Sequence, residues 1–330
     1  MQFSKNSICY KETSSPYLQR YEMRLWFTLR DFETLEKREY VPSKVCTANR
    51  KKNIHRGQWK LLISEIQFLT SELSSLSQTA LCVYVGACSG KGESHLPFLM
   101  QMFPATKWLL CDPLFDEYNL EPFEPLIEKG RVSIYTGSCT EETARAMNDY
   151  MLHNVQNEMS SLLDQIRARE CELTLFISDL RSENADELTI LNDMQLQYNI
   201  FHTLSHANSA ILKFRPPYPD TSQSIIHPMF RDNVLTYPTG KIYWSVFGGV
   251  QTTETRIHIK QHSKMGYYDC SVYEQILYAF NMLERPTYDN MAQEATIQMY
   301  LCKFVQRPPK HSLQPATPTL KRKVNSPNNM

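Results

Sequence analysis

The chain has 330 residues, 35 Lys plus Arg against 35 Asp plus Glu, and 42% hydrophobic side chains. That length supports a sizeable core, in one large domain or two modest ones, and zero net charge excludes the global field of a general nucleic-acid binder. Local charge differs: residues 37–60 carry eight Lys/Arg against one Glu, and residues 306–330 carry five with no acid.

The nine cysteines form no C-x-x-C, and no His/Cys cluster has zinc spacing, so no metal site is expected. Reduced, buried thiols of a cytosolic-type compartment are the simple reading. No apolar stretch approaches the roughly 18 residues of a membrane span. The opening "MQFSKNSICYKE" lacks the apolar core of a signal peptide.

Residues 1–56 are mixed and polar. A helix is predicted in "RGQWKLLISEIQFLTSELSSL", where Trp59, Leu62, Ile66, Leu69, Leu73 and Leu76 fall on one stripe. Lys60 lies on its polar side with Ser64 and Gln67 and by itself reads as solvated. Strands follow at "LCVYVG", "KWLLCD", "RVSIYT", "LTLFISD" and "SAILKF", with helices between them, including one long helix over 140–170. "KIYWSVFGG" and "TETRIHIK" read as two further strands in hairpin-like succession, then "SVYEQILYAFNML" and "MAQEATIQMYLCKFV" as helices. This alternation predicts a doubly wound α/β fold, a mainly parallel seven-stranded sheet with helices on both faces. Three segments are expected: 1–56, a main domain over 57–305, and a basic Pro/Ser/Thr-rich disordered tail over 306–330.

The chemistry concentrates at strand ends. In "YVGACSGKGE", Gly86, Gly90 and Gly92 let backbone approach a ligand without a Cβ in the way. Asp112 ends the second strand, positioned for ribose hydroxyls, a layout that suits an adenosine-containing cofactor. The loop departs from G-x-G-x-x-G, so nicotinamide dinucleotide and S-adenosylmethionine both stay open. Asp179 ends the strand "LTLFIS", near the cofactor edge of such a sheet; taken alone it reads first as a cap for the next helix. Lys213, directly after Ala210-Ile211-Leu212, is an awkward place for a cation unless it is used, and a desolvated lysine near another cation gives up its proton more readily. With Lys60 and Glu254, these residues make a set suited to taking a proton from a ribose 2′-hydroxyl without a metal. The Pro-rich loop "RPPYPD" then stiffens the chain around Tyr218.

In order, "GQWKLLISEIQFL", "VYVGACSG", "ISDLRS", "LKFRPPYPD" and "YEQILYAFN" resemble the poxvirus family of cap-specific mRNA nucleoside-2′-O-methyltransferases, which double as small regulatory subunits of the viral poly(A) polymerase. The likeness covers roughly residues 38–305. It implies a Rossmann-like S-adenosylmethionine-dependent methyltransferase fold and a catalytic tetrad Lys60, Asp179, Lys213 and Glu254, with Lys213 as base. It implies S-adenosylmethionine contacts at Gln58, Tyr84, Gly86, Gly90, Asp112, Cys139 and Asp179. Leu114 stands where the family has an arginine, Cys139 where it has a valine, and Ser89 where it has a proline. The 7-methylguanine of the cap would stack between Tyr40 and Tyr218, with Asp220 and Glu274 on its edge. Arg215 would meet the RNA backbone, and Lys44, Arg50, Lys51, Lys52 and Arg56 its phosphates. The implied partners are 7-methylguanosine-capped RNA and a poly(A) polymerase catalytic subunit, at a cytoplasmic viral replication site with the virion as a further location. A non-catalytic processivity subunit and a methyltransferase acting on another RNA are the competing readings.

Overall fold

The computed structural model describes residues 24–40, 57–88, 94–117, 120–182, 186–219 and 225–305. Gly90, Gly92, Ser89, Asp220 and the basic residues from Lys44 to Arg56 lie outside them. In chain order the elements are β1 (Trp26–Phe27), α1 (Gly57–Glu72), β2 (Ala80–Val85), α2 (Leu96–Met102), β3 (Thr106–Cys111), α3 (Glu124–Glu128) and β4 (Val132–Tyr135). Then come α4 (Glu141–His153), α5 (Ser160–Gln165), β5 (Leu173–Ser178), α6 (Glu187–Thr203) and β6 (Ser209–Phe214). The last are β7 (Phe230–Arg231), β8 (Val234–Pro238), β9 (Lys241–Tyr243), β10 (Thr255–Lys260), β11 (Met265–Asp269), α7 (Cys270–Leu283) and α8 (Arg285–Phe304).

β2 is buried at all six positions, as a near-continuous apolar run requires when helices cover both faces of a parallel sheet. It lies between β3 and β5, both parallel to it, with Val83 opposite Leu109 on one side and Phe176 on the other. Alternation sorts its side chains. Leu81, Val83 and Val85 join the core under α4 and α6, with Met147, Leu191, Met194 and Phe201. Ala80, Cys82 and Tyr84 join the core under α1 and α2, with Leu62, Ile66, Leu69 and Leu99.

The main sheet has eight strands in the order β1-β9-β10-β6-β5-β2-β3-β4. This corrects the seven-stranded expectation. β6, β5, β2, β3 and β4 are parallel, while β10, β9 and β1 extend the sheet antiparallel. The added edge is the two-residue β1, too short to leave a periodic trace in the sequence. A second, antiparallel sheet, β11-β8-β7, was also not anticipated. Its β7–β8 hairpin turns on Asp232 and Asn233, both at positive φ (50° and 64°), the backbone that a tight two-residue hairpin needs. The single helix expected over 140–170 is two: α4 ends at Asn154 in the left-handed conformation (φ 57°), which stops a helix, and α5 follows.

On α1 the stripe Leu62, Ile66 and Leu69 is buried, as is Leu73 just past its end, but Trp59 is 43% exposed. The polar side of α1 does not face solvent. Ser64, Glu65 and Gln67 are buried too, and Gln67 Nε2 donates to Thr296 Oγ1 of α8 at 2.9 Å. The helix packs against α8 along this side, and Lys60 at its start, with its side chain 18% exposed against Glu254, is enclosed rather than solvated.

Candidate active site

The carboxyl ends of the parallel strands make one edge, and β10, running antiparallel, begins at that same edge. α1 brings Lys60 to it, the β5 end brings Asp179, β6 brings Lys213, and the residue before β10 brings Glu254. Lys60 Nζ lies 2.5 Å from Glu254 Oε1, and Lys213 Nζ lies 2.9 Å from Asp179 Oδ1. The structure thus gathers all four residues of the expected tetrad into two opposed ion pairs.

Between the pairs is a residue that the sequence reading did not single out. Arg256, in β10, is directly opposite Lys213 in the β6–β10 ladder. Its Nη2 lies 2.5 Å from Asp179 Oδ1 and its Nη1 3.3 Å from Glu254 Oε1. Its side chain is 6% exposed. Arg181, on the rim, also pairs with Glu254. Two carboxylates therefore face four cations at one sheet edge.

Burial by itself would raise the Asp179 carboxyl, but Arg256 and Lys213 hold it below the usual carboxylate range. Burial likewise opposes ionised Glu254, and Lys60, Arg256, Lys213 and Arg181 together keep it well below that range. Burial pulls Lys60 below the usual lysine value against the attraction of Glu254. For Arg256 the loss of solvent is outweighed by Asp179 and Glu254, which raise it. Both acids are anions, and each is held from more than one side.

The backbone of Lys213 is held as well. β5 pairs with β6 only as far as Ser178 opposite Leu212, so the ladder on that side stops one residue short of Lys213. The buried Gln197 of α6 takes its place: its Oε1 accepts from Lys213 N–H at 3.1 Å and its Nε2 donates to Lys213 C=O at 2.5 Å.

The expected cofactor residues line the neighbouring strand ends. Gly86 has φ +74°, and a Cβ there would stand 2.8 Å from the Asp179 carbonyl carbon, so the loop after β2 passes against the start of the Asp179 loop only as glycine. Asp112 accepts from Cys88 N–H at 3.0 Å and from Leu114 N–H at 2.9 Å, tying the β2 loop to the β3 loop. Each of its oxygens keeps a further lone pair, which suits a ribose diol. Tyr84 is buried, and its hydroxyl donates to Glu65 Oε1 at 2.6 Å. His95 links Glu65 to Gln58, with contacts of 2.5 and 2.6 Å from its two ring nitrogens. Cys139 is buried against Cys111, and Leu114 is 53% exposed. This donor set fits the adenosine end of S-adenosylmethionine: a carboxylate for hydroxyls and a glycine turn for close approach. Gly90 lies outside the described residues.

Of the expected cap residues, Tyr40 and Glu274 lie at α7. The Tyr40 ring meets Tyr278 of α7 edge-on at 5.2 Å, and Glu274 lies one turn earlier on that helix. Tyr218 sits above the start of α6: its N–H donates to Glu187 Oε2 at 3.2 Å, and its hydroxyl donates to Gln251 C=O at 3.2 Å. α7 holds that same loop. Asn281 donates to the carbonyls of Val250 (3.0 Å) and Thr252 (2.8 Å), and Tyr273 to that of Thr253 (2.8 Å). Arg215 pairs with Glu187 and lies 4.7 Å over the Tyr218 ring, so it braces the tyrosine rather than projecting freely. Asp220 lies outside the described residues.

Two comparisons bear on this arrangement. The family model of the poly A polymerase regulatory subunit matches residues 24–320. Cap-specific mRNA (nucleoside-2′-O-)-methyltransferases of Myxoma virus, strains Lausanne and Uriarra, are each 24% identical over 266 residues, covering 75% of this chain and 66% of the relative. A match over that span, on a chain whose strand ends bring these charged residues together, places the protein: it belongs to the poly A polymerase regulatory subunit family.

Proposed function

We propose that this protein moves a methyl group from S-adenosylmethionine to the ribose 2′-hydroxyl of the first transcribed nucleotide of 7-methylguanosine-capped RNA. The observation that carries the reading is the meeting of Lys60, Asp179, Lys213 and Glu254 in two ion pairs at one sheet edge. S-adenosylmethionine supplies a methyl on a sulfonium centre, whose sulfur leaves with the bonding pair. Lys213 serves as base in its neutral amine form: its Nζ lone pair takes the 2′-hydroxyl proton as an oxygen lone pair forms the bond to the methyl carbon. Asp179 fixes the direction of Nζ, and Lys60 with Glu254 bounds the other side, so the hydroxyl is held in line. Arg256 keeps both carboxylates ionised and in place. In this reading residues 57–305 form the methyltransferase domain, 1–56 contributes Tyr40 to the cap pocket, and the work is done in the cytoplasm.

The test is transfer of labelled methyl to a short RNA carrying a 7-methylguanosine cap and an unmethylated first ribose, beside the same RNA uncapped. Label on the capped RNA alone, at that 2′-oxygen, supports the reading; equal label on both points to another RNA substrate. The family match favours a second role, as partner of a poly(A) polymerase catalytic subunit. Capture of the cognate polymerase by the full chain supports it, and absence of capture removes it.

A further inference from the structure

Beside the tetrad runs a chain of enclosed polar groups that the proposed methyl transfer does not use. Glu65, in the middle of α1, has a side chain 2% exposed, and His95, the residue before α2, has one 9% exposed. From β2, Tyr84 donates its hydroxyl to Glu65 Oε1 at 2.6 Å. His95 Nε2 lies 2.5 Å from Glu65 Oε2, and its Nδ1 lies 2.6 Å from Gln58 Oε1. The His95 side chain makes no cap on its own helix. Its ring is turned wholly to α1, where it bridges two residues about two helical turns apart. An enclosed carboxylate is costly unless it is bonded, and both oxygens of Glu65 are.

This bonding sets the amide of Gln58. A carboxylate only accepts, so His95 Nε2 donates to Glu65. Gln58 Oε1 is an acceptor too, so Nδ1 donates as well, and the amide carbonyl is turned to the ring. The NH2 group is then turned away from it. Among the described residues nothing accepts from that NH2, although Gln58 is half-buried.

The chain adjoins the site. Glu65, Tyr84, Asp179 and Arg256 line one small internal void, and Gln58 precedes Lys60 by two residues on α1. A sulfonium carries three groups. With the methyl facing Lys213 and the adenosine running to Asp112, the start of α1 is left for the amino-acid chain.

We propose that His95, backed by Glu65, is a positioning residue that holds the Gln58 amide with its NH2 toward the α-carboxylate of S-adenosylmethionine. The proposal rests on the cofactor reading above. Neither His95 nor Glu65 touches the cofactor; they fix which end of the amide does. A carboxylate accepts from an NH2 group and is repelled by a carbonyl oxygen, so the orientation decides the sign of the contact.

The test compares, by equilibrium dialysis on the full chain, the affinities for S-adenosylmethionine and for its decarboxylated form. The latter keeps the adenosine, sulfonium and amine and lacks only the carboxylate. Their ratio, taken on one preparation, does not depend on the folded fraction. Wild type is expected to favour S-adenosylmethionine by about tenfold or more, as for a hydrogen bond to a charged group. His95→Gln places a donor near the Nε2 position, so it keeps Glu65 bonded and releases Gln58; the ratio should fall severalfold toward parity. His95→Asn places a donor near the Nδ1 position and should keep most of the ratio. Gln58→Leu should match His95→Gln, and the double variant should go no further, because both act on one contact. An unchanged ratio in His95→Gln overturns the inference. So does an equal fall in His95→Gln and His95→Asn, since the ring then serves packing alone. Wild type that binds neither compound defeats the cofactor reading itself. Wild type that binds both equally leaves that reading standing and removes the contact proposed here.

Discussion

Lys213 and Arg256 stand opposite each other on neighbouring antiparallel strands and hold the same carboxylate oxygen, Asp179 Oδ1, at 2.9 and 2.5 Å. Two cations directly opposite on a sheet repel. Asp179, arriving from β5, turns that repulsion into a three-membered bridge, and Glu254 extends it to Lys60.

Removing Arg256 is therefore expected to cost more than one hydrogen bond. Arg256→Met leaves Asp179 and Glu254 short of a buried counter-ion, a change that typically costs about 3–5 kcal/mol. Urea denaturation at neutral pH should show a loss of that order; a variant as stable as wild type would mean that the guanidinium is not what neutralises the two acids.

The turn at Gly86 makes a separate prediction. Gly86→Ala forces a side chain into the left-handed region and brings its Cβ within 2.8 Å of the Asp179 backbone. A stability loss of about 1–3 kcal/mol is expected, with weaker S-adenosylmethionine binding by calorimetry because the β2 loop and the Asp179 loop must part. Wild-type affinity and stability together would show that the two loops adjust freely.

Parallel strands, acids at their ends and the helix carrying Lys60 are all legible in the sequence, because apolar runs such as "LCVYV" and "LTLFI" are bounded by polar turn residues. The enclosure of Lys60 is not. Ser64 and Gln67 share its side of α1, a pattern that ordinarily faces water; Gln67 meets Thr296 of α8, more than 200 residues later, and Lys60 itself is closed in by Glu254. Arg256 was hidden in another way. In "TETRIHIK" it occupies an ordinary strand position, and its partner Asp179 is 77 residues away. The Glu254–Arg256 spacing, two on one strand face, was the available signal. The hairpin at Asp232-Asn233 also had one, since these residue types tolerate positive φ. The Tyr218 brace rests on Glu187, which belongs to a different element and has no local trace.

In the proposed cap pocket, the ring and hydroxyl of Tyr218 are separable. Tyr218→Phe gives up the hydroxyl and its 3.2 Å bond to the Gln251 carbonyl, whereas Tyr218→Ala removes the aromatic face. A cation on such a face is worth about 0.5–2 kcal/mol. 7-methyl-GTP affinity should fall severalfold or more for Ala and stay near wild type for Phe. Equal affinity in wild type and Ala would exclude stacking on Tyr218.

Stability should also fall in mild acid. His206 Nδ1 lies 2.5 Å from Asn148 Oδ1, and burial lowers its pKa to about 4. The unfolded chain takes up that proton near pH 6.5. The contribution is fully present above about pH 6.5 and is lost as pH falls toward 4, a change on the order of 2–3 kcal/mol. His206→Gln should flatten the decline in urea midpoint between pH 7 and 4.5. An identical decline in the variant would assign it to other groups.

The most direct test of the central claim is single-turnover methyl transfer by Lys213→Ala to capped RNA, with 7-methyl-GTP binding measured on the same preparation. The account predicts transfer reduced by about 100-fold or more, with cap affinity unchanged. Transfer at the wild-type rate, with cap binding intact, would contradict it.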